Sequence, residues 1–300
     1  MSAPQASGEQ NMSATPAPET AAAHTTGPAR AAKASRLRKR VLILTTQVVL
    51  VVVVLGAWEL AARSKSIDVF LYGQPSGVWK QLVDWFQHGT EVGSIWQQFE
   101  VTLEEAVLGF VIGSVGGIVL GVALGRVQFL ASVFGPFIKI FNSIPRVVLA
   151  AIFALWFGLA IPGKVATAVV LVFFVVFFNA FQGTREVDQN LIANARILGA
   201  SGWKVTTNVV IPSAFTWITA SLHVAFGFAL IGAVVGEIFG AQHGLGLLIN
   251  QAKGNFNPNG VYAGTLLVAV MALAAEFLIS MLERRILAWR PSNDRVDAGL

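Results

Sequence analysis

A chain of 300 residues that is 55% hydrophobic and 12% charged, with a mean hydropathy of +0.66, carries more apolar surface than one soluble core can hide and belongs in a lipid bilayer. It has no cysteine, which excludes disulfides and thiolate chemistry, and His24, His88, His223 and His243 lack metal-ligand spacing, so no metal site is expected. The net charge of +5 sits largely beside the first apolar run (Arg36, Arg38, Lys39, Arg40) and after the last (Arg284, Arg285, Arg290), which reads as membrane orientation and not as nucleic-acid binding.

Residues 1–35 are rich in Ala, Ser, Thr, Pro and Gly and are expected to form a disordered cytoplasmic tail. A permeating domain over 36–290 and a cytoplasmic C-terminal tail over 291–300 follow. The first apolar run, 41–62, is too long for a signal-peptide core and lacks a small-residue cleavage site, so it reads as a retained span. Residues 64–102 become an outer segment whose Trp79, Leu82, Val83, Trp85 and Phe86 suit an interfacial amphipathic helix.

The second span, 106–125, has a glycine every four residues at Gly109, Gly113, Gly117, Gly121 and Gly125. Such a ridge lets another helix backbone approach closely, which is how helices associate in lipid. Residues 129–161 are too long for one span and contain Gly135-Pro136 and Ile144-Pro145-Arg146, which predicts a short helix followed by a span broken at Pro145. Further spans are expected at 164–181, 213–236 and 261–282. The fold class is thus an all-α membrane protein of about six transmembrane helices, with both termini and the 182–212 loop cytoplasmic by the flanking charges.

The 182–212 loop is polar yet patterned as helix. Asp188 can cap a helix that places Leu191, Ala195 and Leu198 on one stripe, and Gly199 can end it in a left-handed conformation. Ser201 can start a second short helix with Trp203, stopped near Pro212. A helix-Gly-helix unit this small needs a groove to lie in. At membrane depth, polar groups occur around the broken backbone (Asn142, Ser143, Arg146) and in the fifth span (Thr219, His223); these are candidates for lining a solute path.

Gly158 to Lys164 fits a phosphate loop up to the lysine, but Val165 lacks the hydroxyl that would reach magnesium. No catalytic constellation is visible, so the chain reads as no enzyme.

Ala195, Gly199 and Ile211-Pro212 resemble the cytoplasmic signature of ATP-binding-cassette importer permeases, which runs Glu-Ala-Ala, three residues, Gly, nine residues, Ile, any residue, Leu-Pro. Ala193 stands here at the glutamate position. Asn142-Ser-Ile-Pro-Arg146, Leu155-Trp-Phe-Gly158, Leu198-Gly-Ala-Ser201, Gly227 to Glu237, Gly244-Leu-Gly246 and Leu282-Glu-Arg-Arg285 resemble the sulfonate, nitrate and taurine branch over about residues 41–291. The resemblance implies a permease dimer, most simply a homodimer, in the bacterial inner membrane. It also implies a cytoplasmic ABC ATPase on each copy, holding ATP and magnesium that this chain does not bind, and a periplasmic or lipid-anchored solute-binding protein. An ion-coupled secondary transporter is the first rival reading and a membrane-embedded enzyme the second; the first would need intramembrane carboxylates and inverted repeats, with Glu276 the main deep acidic candidate, and the second a catalytic cluster.

Overall fold

The computed structural model describes residues 27–158 and 160–286. Among them there is no strand beyond an isolated bridge between Thr90 and Gly93, which bears out the all-α reading. The helices are α1 (Gly27–Arg63), α2 (Val69–Tyr72), α3 (Pro75–Gln87), α4 (Ile95–Arg126), α5 (Gln128–Ser143), α6 (Leu149–Phe157), α7 (Ile161–Arg185), α8 (Gln189–Ile197), α9 (Gly202–Val205), α10 (Ile211–Phe239), α11 (Leu245–Gly254) and α12 (Pro258–Ile286). Among the described residues five continuous helices are long and apolar enough to cross a membrane, or six crossings if the bent α5–α6 pair counts as one.

Contacts divide the chain into two units, up to Ala57 and from Trp58 onward. In the first, the described part is residues 27–57 of α1, whose large apolar side chains from Val41 to Leu55 are exposed. Residues 27–35, read above as disordered tail, are helical in the structure. Pro28 fits a first helical turn, the alanines at 29, 31, 32 and 34 are strong helix formers, and a turn added to an existing helix needs no new nucleus. Residues 1–26 and 287–300 lie outside the described part.

In the second unit α7 is flanked by α4 and α10. The glycine ridge of α4 lies on α7: a β-carbon added at Gly113 would sit 2.8 Å from the Val169 carbonyl oxygen, one at Gly121 2.7 Å from that of Phe177, and one at Gly125 2.9 Å from that of Phe181. Gly109 meets Ala168 in the same way. On the other side Gly232 abuts Ala168, and a β-carbon at Gly236 would lie 2.9 Å from the Lys164 Cα. Between these contacts Ala106, Val172, Val176, Ala225, Ala229 and Ala233 form a buried core.

α4 begins inside the segment expected to lie outside the membrane, because Ser94 caps it two turns before residue 102, its Oγ accepting from Trp96 N at 3.2 Å. The amphipathic helix is α3, with Leu82 and Trp85 buried and Trp79 and Phe86 exposed. Pro136 does not interrupt α5; one proline removes a single hydrogen bond, and the chain continues past it. The break comes at Pro145, where residues 128–141 and 146–157 meet at 74°.

A further correction concerns Pro212. It stops no helix: α9, a π-helical turn over Thr206–Val210 and α10 are continuous from Gly202 to Phe239. A proline ring clashes with the carbonyl four residues back, here that of Asn208. The wider π turn holds that very stretch and so admits the ring without breaking the axis.

Candidate functional site

Three groups of polar or exposed residues stand out from the helical packing. The first is the loop between α7 and α10. Asp188 Oδ1 accepts from Asn190 N at 2.8 Å and starts α8. The helix ends with Gly199 at φ +79°, its N–H donating to the Arg196 carbonyl at 2.9 Å, while Ala200 N donates to the Ala195 carbonyl at 3.0 Å. These two bonds satisfy the last carbonyls in a Schellman turn. Ser201 then caps α9, accepting from Lys204 N.

The proposed stripe divides in the structure. Ala195 turns inward with Ile192 onto a small core of Val187, Val205 and Val210, whereas Leu191 and Leu198 face out. The loop therefore has an interior of its own, which the sequence reading did not foresee. Its outer face carries Leu198 at 87% exposure and Trp203 at 72%, with Ile197 and Leu191 beside them. Exposed apolar side chains on a polar, capped segment are the kind of surface that a partner can cover. Arg126, at the end of α4, donates through Nη2 to the Gly202 carbonyl and ties the loop to the helix with the glycine ridge.

The second group is the polar set that the sequence leads one to expect at membrane depth. Ser143 Oγ donates to the Lys139 carbonyl and Thr219 Oγ1 to that of Phe215, so both hydroxyls serve their own helices. The side chain of Asn142 lies outside the described part. Arg146 places its guanidinium over Phe174 and Phe178, at 5.2 and 5.8 Å from the ring centroids, a cation–π arrangement. His223 bridges α10 to α12: Nδ1 lies 2.9 Å from Glu276 Oε1 and Nε2 2.6 Å from Glu283 Oε2. Glu276 remains 49% exposed, a carboxylate on the flank of a span.

The third group was missed from the sequence. Gln98, Thr102, Glu105 and Glu237 are fully buried and Lys164 nearly so, where α4, α7 and α10 end on the side away from α8. Lys164 Nζ lies 3.0 Å from Glu105 Oε1, so the lysine of the false phosphate loop has an ion-pair role. Thr102 Oγ1 donates to Glu237 Oε1 at 2.7 Å and accepts from Leu245 N at 2.8 Å. Gln98 Oε1 accepts from Gly244 N at 2.8 Å, and Glu237 Oε2 from Gly246 N at 2.5 Å. Glu276 is therefore one of several acidic groups in the spans. The available signal was the presence of Glu105, Lys164 and Glu237 at the edges of apolar runs, where an ionisable group requires a partner.

Comparison with known proteins fits this geometry. Residues 113–288 match the model of the family described as binding-protein-dependent transport system inner membrane component. A Bacillus subtilis permease named for aliphatic sulfonates, SsuC, is 29% identical over 67% of this chain and 73% of its own. The taurine transport system permease TauC of Escherichia coli is 26% identical over 79% of this chain and 86% of its own. The riboflavin transport system permease RibX of Chloroflexus aurantiacus is 28% identical over 78% and 86%. A solved inward-facing structure of the MetNI methionine ABC transporter matches with a TM-score of 0.51 at 19% identity, over 66% of this chain and 94% of that one, a likeness of fold.

Proposed function

We propose, for a chain that belongs to the family of binding-protein-dependent transport system inner membrane components, that it is the permease subunit of an ATP-driven importer of a small oxyanion such as a sulfonate, taurine or nitrate. It works by alternating access as a homodimer in the bacterial inner membrane, with both termini cytoplasmic. A cytoplasmic ABC ATPase on each copy holds ATP and magnesium, and a periplasmic or lipid-anchored binding protein delivers the solute.

The observation that carries this reading is the loop: two capped helices around Gly199, with Leu198 and Trp203 exposed and the second helix continuous with a span. A partner gripping that face moves α9, and α10 moves with it, because a helix transmits displacement where a floppy loop absorbs it. The names of SsuC and TauC support the solute class. The path candidates are Arg146 and His223, with Asn142, Ser143 and Thr219 nearby in sequence. A cation close to the route eases the passage of an anion without holding it.

The test is co-expression with the cognate ATPase and binding protein. Leu198→Asp with Trp203→Asp is expected to abolish ATPase co-purification while the permease still reaches the membrane. Vesicles of the parent complex are expected to take up taurine, ethanesulfonate or nitrate when given ATP and the binding protein. Co-purification undiminished by the double substitution refutes the docking face; uptake without ATP or binding protein returns the secondary-transporter reading.

A further inference from the structure

The Glu237 and Gly244-Leu-Gly246 motifs have no part in docking or in the path, yet the structure joins them. Three successive backbone amides, of Gly244, Leu245 and Gly246, are each held by a different buried side chain: Gln98, Thr102 and Glu237. The glycines are required by this closeness. Gly244 has φ +120° and an added β-carbon there would run into the Glu237 carboxyl; one at Gly246 would lie 2.8 Å from Glu237 Oε2.

Burying carboxylates and an ammonium is costly, and an apolar contact of the same volume would stabilise at least as well. Hydrogen bonds to three consecutive amides do something an apolar contact cannot: they fix position and orientation, two from α4 and one from α10, so α11 cannot slide on either helix. The helix from Gly202 to Phe239 has 38 residues, about 57 Å at the usual rise. One end carries Trp203 and the other Glu237.

We infer that the Glu237–Thr102–Gln98 cluster is a latch that makes α11 follow α10 together with the end of α4 beside it, so that displacement of the ATPase-facing loop, tied to both helices, reaches the opposite end of the bundle. This rests on the importer reading above and deepens it. Glu237 and Thr102 are positioning residues: they touch the 244–246 backbone and act through α11.

Thr102 gives the sharpest test, because its hydroxyl lies 2.7 Å from Glu237 Oε1 and 3.1 Å from the Gln98 carbonyl, the carboxylate being the nearer acceptor for its one proton, and accepts from Leu245. Thr102→Val is nearly isosteric and loses both bonds; Thr102→Ser keeps both. In the complex with ATPase and binding protein, Thr102→Val and Glu237→Ala are expected to raise hydrogen exchange at the 244–246 amides at least tenfold. Uptake per ATP hydrolysed should fall at least tenfold, with Thr102→Ser close to the parent. The solute is whichever of taurine, ethanesulfonate or nitrate the parent takes up. Since the chain has no cysteine, cysteines at Ile238 and Asn250, where Asn250 Nδ2 donates to the Ile238 carbonyl, can be bridged by a short thiol-specific crosslinker. The bridge should restore uptake in Thr102→Val, and a reductant should remove it again. Raised exchange with normal coupling overturns the latch, as does a loss that the bridge does not restore, which marks a folding role. Unchanged exchange overturns it as well. A parent complex without ATP-dependent uptake refutes the importer reading instead, and the exchange measurement then reports on the latch alone.

Discussion

Gly117→Ala is expected to loosen the pairing of α4 with α7, whereas Gly116→Ala, one residue away, is not. A β-carbon at Gly117 would lie 2.9 Å from the Phe173 carbonyl oxygen, 2.9 Å from Phe177 N and 3.0 Å from Val176 Cβ. Two of these are backbone atoms of a helix and cannot swing aside, so the helices must separate by roughly half an ångström, enough to forfeit about a quarter of each facing dispersion contact. The same separation weakens the contacts at Gly113 and Gly121. At Gly116 the nearest atom is the ring edge of Phe173 at 3.5 Å, an ordinary contact. Both substitutions gain the same helix propensity, about 1 kcal/mol in water, so their difference isolates the overpacking cost, about 1–3 kcal/mol. That corresponds to a roughly 5- to 150-fold difference in the unfolding constant. Denaturation of the purified variants in mixed micelles, followed by tryptophan fluorescence, measures it. Equal midpoints for the two variants refute the reasoning that the ridge is set by backbone contact.

Cysteines placed at Asp188 and Ser292 are expected to resist a membrane-impermeant thiol reagent in intact cells while one at Glu91 reacts; labelling of the Asp188 site from outside inverts the topology. A β-carbon at Gly199 meets no atom within 4 Å, so the main cost of Gly199→Val is the left-handed backbone, about 1–2 kcal/mol. Expected are reduced ATPase co-purification at normal membrane levels and a milder effect for Gly199→Asn; normal uptake and co-purification in the valine variant rule out a required turn. Arg146→Gln is expected to lower uptake of an anionic solute at least tenfold with assembly and ATP hydrolysis retained. Unchanged uptake in both Arg146→Gln and His223→Ala removes these residues from the path.

Local chemistry in the chain was enough to read the spans, the caps at Asp188 and Ser201, and the turn at Gly199, because each depends on the periodicity or the conformational freedom of a few neighbouring residues. Bilayer thickness fixes span length, and a left-handed turn selects glycine; neither needs a partner from elsewhere in the chain. What tertiary structure decided was which polar group meets which. Glu237 and Thr102 are 135 residues apart, His223 and Glu283 are 60 apart, and nothing in the local sequence of either pair names the other. The stripe of α8 was misassigned for the same reason: Leu191 and Ala195 are both apolar and one helical turn apart, and only the approach of Val205 and Val210 determines that Ala195 faces in. Pro212 was read as a stop because its ring clashes in an ordinary α turn, and the π turn that relieves the clash is a property of the folded backbone.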